Sequence, residues 1–113
     1  MHTYINKQLE TLNWNKAPHE LYLPIGYALE SGGKRIRPAL VLMACDLFGG
    51  TKDDAMGAAL AIEVFHNFTL LHDDIMDNAE TRRNRLTVHK KWNANTAILS
   101  GDAMMIKSYE FLE

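Results

Sequence analysis

The sequence has little cysteine, little proline and no long uncharged apolar run. Its single cysteine, Cys45, excludes an intrachain disulfide and suits a reducing compartment, so we expect a cytoplasmic protein. No window approaches the ~18 uncharged apolar residues of a membrane span, and the first residues lack the apolar core of a signal peptide. The net charge of -2 leaves no broad basic surface, so nucleic acid is not an expected partner.

The hydrophobic pattern predicts an all-α protein. Hydrophobic residues make up 47% and charged residues 23% of the chain, which excludes a disordered protein. The 3 prolines and 7 glycines cluster between apolar runs, and no alternating strand pattern of useful length is present. The predicted helices are residues 4–14, 24–31, 39–48, 52–77, 87–92 and 95–113, with Pro24 and Pro38 in the first turns of the second and third.

The helix predicted for residues 52–77 carries apolar side chains all round. Such a helix is normally buried among others, and it would be about 39 Å long. A chain of 113 residues cannot easily surround it. The last predicted helix also reaches Glu113 without a glycine, proline or polar cap. We therefore expect residues 1–113 to be a fragment of a larger domain.

Three aspartates close this long helix. Asp73 and Asp77 stand at positions i and i+4, within about 40° of each other on the helix surface, and His66 falls on the same stripe. Asp74 points away from that stripe. Two carboxylates at a helix C-terminus repel each other and oppose the helix dipole, so a cation should offset them. Hard oxygen ligands on one face favour Mg²⁺, although a solvated acidic helix end would show the same residues.

Two basic clusters precede and follow this helix. Their members are Lys34, Arg35 and Arg37 in the first cluster and Arg82, Arg83 and Arg85 in the second. The first lies between a glycine pair and Pro38, where a helix start with basic side chains beside it could bind an anion. A solvated basic turn is the alternative. The second is close enough to the aspartates to bind a phosphate whose metals they hold. The combination favours a phosphate-bearing substrate with an apolar tail.

The spacing of these motifs resembles the N-terminal half of trans-polyprenyl diphosphate synthases. The matching segments are GGKRIRP at 32–38, FHNFTLLHDDIMD at 65–77, RRNRLTVH at 82–89 and SGD at 100–102. The resemblance implies the N-terminal part of the isoprenoid synthase helical bundle, built around a deep apolar cavity. It also implies a homodimer when complete. The implied reaction is Mg²⁺-dependent condensation of isopentenyl diphosphate with an allylic diphosphate.

The resemblance also implies a role for each motif residue. Asp73 and Asp77 would hold Mg²⁺ on the allylic diphosphate, which Arg82 would contact. The residues implied to hold isopentenyl diphosphate are Lys34, Arg37, His66 and Arg83. Asp74 and Arg35 complete the motifs in supporting positions. The chain departs from the family where it has Asn84 and Leu86 in place of the usual glycine and proline. The second aspartate-rich motif of the family is absent from these residues.

Phe68 is the candidate for setting product length. It lies about 7.5 Å before Asp73 along the helix axis, a distance that suits a side chain under a growing prenyl tail. Helical-wheel geometry alone favours an ordinary core residue, since Phe68 sits well round from the Asp73 stripe. The resemblance instead favours the role in product length over the role of an ordinary core residue, because the family sets cavity depth at this position. A bulky aromatic there is typical of short-chain synthases that make farnesyl or geranylgeranyl diphosphate.

Three other classes of protein fit parts of the pattern. A terpene cyclase uses a helical DDxxD but has no need of the GGKRIRP site for a second diphosphate. An HD-type phosphohydrolase would use His66 and the His72-Asp73 dipeptide, but spreads its ligands over several helices. A non-catalytic helical interaction or regulatory module derived from a synthase would explain the short chain and the missing second motif. A continuing reading frame with a second DDxxD would decide for the synthase, and the isolated residues 1–113 are expected to be inactive.

Overall fold

The computed structural model describes residues 2–30 and 32–113. Within these ranges six helices and one minimal hairpin follow in the order α1 His2–Glu10, α2 His19–Glu30, α3 Ile36–Leu47, α4 Lys52–Met76, β1 Thr81–Arg82, β2 Arg85–Leu86, α5 Val88–Lys91 and α6 Ala94–Glu110. The all-α prediction is confirmed, apart from the two-residue strands. None of the helices in the described part of the chain is long and apolar enough to cross a membrane.

Helix α4 is the centre of the packing. It begins at a capping box, in which the Thr51 hydroxyl accepts from the Asp54 backbone N–H while the Asp54 carboxylate accepts from the Thr51 N–H. Helix α6 packs along one side of α4 and α3 along another. One core cluster joins α2, α4 and α6 around Val64 and Met104. A second joins α1, α3 and the first half of α4 around Leu42 and Leu60.

Helix α2 begins before Pro24, so the predicted start there is wrong. Backbone N–H groups of Leu21 and Tyr22 already donate to the Pro18 carbonyl. Pro24 therefore lies inside the helix, where it removes one backbone hydrogen bond. Its side chain is fully buried, and Tyr22 stacks on Trp14 with ring centroids 6.3 Å apart. Tertiary packing thus overrides the local signal of proline. The predicted final residue of this helix, Ser31, lies outside the described residues.

Other helix ends differ from the prediction by smaller amounts. Helix α1 stops before Trp14, whose side chain instead packs against Gly26 of α2. Helix α3 begins at Ile36, so Pro38 is its third residue rather than its first. Helix α6 ends at Glu110 rather than Glu113. Its start is fixed by the Asn93 side chain, which accepts from the Thr96 N–H at 2.8 Å.

The predicted polar loop at 78–86 forms a tight antiparallel hairpin. Its turn residues Arg83 and Asn84 have φ of 51° and 64°, which is the paired left-handed conformation of a type I′ turn. Asparagine tolerates this conformation better than most residues, so the absence of glycine at position 84 does not abolish the turn. Tyr27 of α2 secures the hairpin, because its hydroxyl donates to the Leu86 carbonyl at 2.7 Å.

Candidate active site

Helix α4 presents its acidic stripe on an exposed face. Asp73 and Asp77 are both exposed, and the predicted i, i+4 relation holds because the helix continues to Met76 and is capped by Asp77. Neither carboxylate makes a hydrogen bond or ion pair with any residue that the structure describes. Ile62 and His66 lie on the same face toward the N-terminus of α4. Two carboxylates are therefore available to an outside cation.

The neighbouring Asp74 serves a different partner. It is buried, with 7% of its surface exposed, and its two carboxylate oxygens accept from Nε and Nη2 of Arg82 at 2.8 and 2.7 Å. This bidentate pair fixes the Arg82 side chain against α4 and raises the pKa of its guanidinium. The remaining N–H groups of Arg82 are free to donate to a second anion. The supporting position expected for Asp74 agrees with this geometry.

Arg35 points inward, away from the other members of its basic cluster. It has φ of 52°, and only 5% of it is exposed. Its guanidinium pairs with the buried carboxylate of Glu63 and also donates to the Leu29 carbonyl and to Asn6 Oδ1 at 2.7 and 2.9 Å. Asn67 completes the network by donating to Glu63 Oε2 at 3.2 Å. The first basic cluster is therefore not one solvated turn.

Residues on either side of Arg35 stay at the surface. Lys34 and Arg37 are exposed, and Nη1 of Arg37 lies 3.3 Å from Nε2 of His66. Arg83 reaches the same region from the hairpin, since a Cβ added to Gly33 would lie 3.1 Å from its Nη2. Gly33, with φ of 136°, therefore lets the Arg83 guanidinium lie against the loop. The structure brings Arg37 of the first basic cluster and Arg83 of the second to the region of His66.

The electrostatics of this region favour an anion. Partial burial, and then the charge of Arg37, lower the pKa of His66, which keeps the imidazole neutral at pH 7. The pKa of Arg83 is also lowered, first by partial burial and then by the charges of Arg82 and Arg35. Neighbouring positive charge contributes to both shifts after burial, so the region carries positive potential. A diphosphate bound between these groups would neutralise it.

The acidic stripe fits a share of a magnesium site. No group of three or more His, Cys, Asp or Glu side chains that could hold a metal occurs among residues 2–30 and 32–113. Magnesium, however, commonly binds to proteins through one or two carboxylates, with water and substrate phosphates completing its shell. Asp73 and Asp77 supply two exposed hard-oxygen ligands of that kind. Asp74 does not join them, because its oxygens are held by Arg82.

Phe68 lies at the border between the core and the exposed face of α4. Its half-buried ring packs against the cluster around Met104, as expected of a core residue. It also forms edge-to-face contacts with Phe65 and His72, at centroid distances of 5.3 and 4.8 Å. These contacts agree with the core position that helical-wheel geometry favours, and the role of Phe68 in product length stays a prediction.

Sequence reasoning missed two groups that support the site. Glu63 is the buried partner of Arg35, and nothing near it in the sequence signals a cation. Gly101 is the second, because a Cβ there would lie 2.3 Å from Nε2 of His72. The SGD segment at 100–102 includes Gly101, but nothing in the sequence indicates that Gly101 contacts His72. Arg35 and Glu63 are more than 25 residues apart in the sequence, as are His72 and Gly101, so only the fold reveals these contacts.

Comparison with known proteins agrees with this architecture. Residues 18–113 match the family described as polyprenyl synthetase. The chain is 45% identical over 95 residues to a geranylgeranyl diphosphate synthase of Methanosarcina mazei, covering 84% of this chain and 29% of that protein. A crystal structure of a geranylgeranyl pyrophosphate synthase aligns with a TM-score of 0.91 at 54% identity, over 96% of this chain and 33% of that one. A geranylgeranyl pyrophosphate synthetase from the archaeon Geoglobus acetivorans aligns with a TM-score of 0.93 at 41% identity, over 98% and 36% of the two chains.

These alignments extend through all six helices of the described residues, which establishes the isoprenoid synthase helical fold. The chain spans about a third of the length of the relatives it matches. With the family match covering most of its residues, the chain belongs to the polyprenyl synthetase family.

Proposed function

We propose that this chain contributes the first metal motif and the isopentenyl diphosphate site of an enzyme that elongates prenyl chains. The reaction joins isopentenyl diphosphate to an allylic diphosphate, giving a longer prenyl diphosphate and free diphosphate. Residues 1–113 form the N-terminal part of one polyprenyl synthetase domain in this proposal. The complete protein is a cytoplasmic homodimer that uses Mg²⁺.

One observation carries the proposal. Arg37, His66 and Arg83 converge from three elements beside the glycine pair, and the pKa values of two of them are lowered partly by neighbouring positive charge. Across the same region, Asp73 and Asp77 stand exposed at the end of α4. A cationic site beside a two-carboxylate metal motif is suited to two diphosphates, one bound directly and the other through metal.

The residues divide the chemistry between them. Those that hold isopentenyl diphosphate in this proposal are Lys34, Arg37, His66 and Arg83. Arg82, oriented by Asp74, donates its remaining N–H groups to the allylic diphosphate. Mg²⁺ bound through Asp73 and Asp77 would neutralise charge on that diphosphate as it leaves.

Loss of the diphosphate breaks the allylic C–O bond and leaves an allylic cation. The double bond of isopentenyl diphosphate then attacks this cation, which forms the new C–C bond. A proton is lost from the adjacent carbon, and the departing diphosphate is the base. Arg82 stabilises the leaving charge, so its contribution should be greatest in the transition state.

The test is a condensation assay on the complete protein, with labelled isopentenyl diphosphate, an allylic diphosphate and Mg²⁺. We expect Asp73→Ala and Asp77→Ala to lower kcat by at least about 100-fold, the scale of removing one charge-stabilising group. Asp74→Ala is the matched control on the same helix end. It should cost less, about 10-fold, because it only releases the side chain of Arg82.

Two results would contradict the proposal. A folded, dimeric wild-type protein that gives no prenyl product with any allylic primer would favour the non-catalytic module. Equal activity of wild type and Asp73→Ala would remove Asp73 from the metal site.

A further inference from the structure

Glu63 is a buried carboxylate that the proposed chemistry does not use. Only 4% of the residue is exposed, and its Oε2 accepts from Nη1 of Arg35 and from the Asn67 amide, the latter at 3.2 Å. The same amide donates to the backbone carbonyl of Glu63 at 2.9 Å. Asn67 thus orients the carboxylate from one turn further along α4. The charge of Glu63 is therefore directed at Arg35.

The Arg35 guanidinium joins three helices at one point. Its Nε donates to Asn6 Oδ1 of α1 at 2.9 Å and its Nη2 to the Leu29 carbonyl of α2 at 2.7 Å, while Nη1 pairs with Glu63 of α4. A planar guanidinium has fixed donor directions, so three partners define its position. Of these partners only Glu63 is charged, and a charge-assisted bond is the strongest of the three.

This anchored side chain belongs to a residue with an uncommon backbone conformation. Arg35 has φ of 52° and immediately precedes α3, where its carbonyl accepts from the Ala39 N–H at 3.2 Å. Residues with a Cβ adopt this left-handed conformation rarely, and it persists where the surroundings enforce it. The buried guanidinium supplies that constraint. The turn into α3 therefore depends on the bonds that Arg35 makes with Glu63 and its other partners.

The residues that flank this turn belong to the proposed isopentenyl diphosphate site. Lys34 and Arg37 are both exposed, and Nη1 of Arg37 lies 3.3 Å from Nε2 of His66. His66 itself stands less than one turn after Glu63 on α4. Burial and the charge of Arg37 lower the pKa of His66, and the charge of Glu63 opposes them. Glu63 thus lies beside the cationic site as well as beneath the turn.

We propose that Glu63 is a positioning residue for isopentenyl diphosphate, which acts by holding Arg35. The anchored turn keeps Lys34 and Arg37 facing the diphosphate, and Glu63 itself touches no substrate. The inference rests on the proposed function, since it concerns how the same site keeps its shape. Asp73, the proposed metal ligand, lies about 15 Å further along α4, so the allylic site should not depend on this anchor.

The experiment measures steady-state condensation by the complete enzyme, with one substrate varied while the other is saturating. Glu63→Gln keeps the size of the side chain and removes its charge, so the turn at Arg35 should loosen. We expect the KM for isopentenyl diphosphate to rise about tenfold, the equivalent of one charge-assisted hydrogen bond, while kcat and the KM for the allylic diphosphate stay as in wild type. Isothermal titration calorimetry with isopentenyl diphosphate alone should show the same loss of affinity.

Two further variants separate positioning from loss of stability. Met104→Ala removes a fully buried side chain from the core cluster around Val64, so it should lower stability without changing either KM. Arg35→Met/Glu63→Leu removes the anchor without leaving a buried charge, so it should fold stably and still bind isopentenyl diphosphate weakly. This double variant serves where Glu63→Gln fails to fold.

An unchanged KM for isopentenyl diphosphate in folded Glu63→Gln, or in the stable double variant, would overturn the inference. Equal increases in both KM values, or a matching increase in Met104→Ala, would do so as well, because they indicate a general loosening of the fold. If the wild-type enzyme neither binds isopentenyl diphosphate nor makes a prenyl product, the proposed function itself fails. If it does both and only the variants are unmoved, the failure belongs to Glu63 alone.

Discussion

Breaking the buried pair between Arg35 and Glu63 should be among the most destabilising single changes in this chain. Only 5% and 4% of these residues are exposed, and Arg35 has three separate partners. Glu63→Leu would leave the guanidinium charge of Arg35 buried, with the Leu29 carbonyl and Asn6 Oδ1 as its two neutral acceptors. Removal of one partner from such a pair typically costs ~3–5 kcal/mol. That is a large part of the ~5–15 kcal/mol that stabilises a typical domain.

The double variant Arg35→Met/Glu63→Leu tests whether the cost arises from the unpaired charge. Replacing both members with apolar side chains is often close to neutral, so we expect most of the lost stability to return. The exposed pair of Arg85 and Glu30, with atoms 3.9 Å apart, provides the matched control. Glu30→Gln should cost about 0–1 kcal/mol.

Urea unfolding of the complete protein, followed by far-UV circular dichroism, measures these differences. With a slope of about 1–3 kcal/mol per molar urea, Glu63→Leu should lower the midpoint by about 1 M or more. The reasoning would be refuted if Glu63→Leu cost no more than Glu30→Gln, or if the double variant were as unstable as the single one. The double variant should still show a raised KM for isopentenyl diphosphate, because Arg35 separates Lys34 from Arg37.

Two further predictions concern the charge and the surface of the chain. NMR titration should find the pKa of His66 below its ordinary value of 6.5, and Arg37→Gln should raise it by removing a neighbouring charge. With a lowered pKa in the folded state, His66 binds more protons in the unfolded chain than in the folded one just below pH 6.5. The free energy of unfolding should therefore increase with pH through that window, and His66→Gln should reduce this dependence on pH. An unchanged pKa in Arg37→Gln would show that the two groups do not interact. The isolated residues 1–113 should bind a hydrophobic dye and show no condensation activity, because Leu40, Met43 and Leu47 of α3 are 55–79% exposed; a dye-silent, active chain would contradict this.

The sequence predicted best those features that depend on neighbouring residues. Helix α4 begins at Lys52 as expected, because its start signal is a local capping box at Thr51. The common face of Asp73 and Asp77 likewise follows from helical periodicity. Such features need no knowledge of the rest of the fold.

Features that depend on distant partners were missed or wrong. The sequence predicts that α2 starts at Pro24, because the packing that favours a longer helix comes from Trp14 and from α6. The sequence groups Arg35 with its exposed neighbours, because its partner Glu63 lies on another helix. Periodicity indicates which side of α4 a residue occupies but not which charge faces it there.

The double aspartate illustrates how one helix serves two partners. Consecutive residues on an α-helix point about 100° apart, so Asp73 and Asp74 cannot both face the same metal ion. Asp73 stays exposed, whereas Asp74 is buried and takes both nitrogen donors of Arg82. Because that arginine belongs to the hairpin after α4, the second aspartate fixes the hairpin relative to the first. The pair therefore couples the proposed metal ligand to the arginine that we propose contacts the same diphosphate, and either Asp74→Ala or Arg82→Ala should loosen that coupling while the ligand at Asp73 remains.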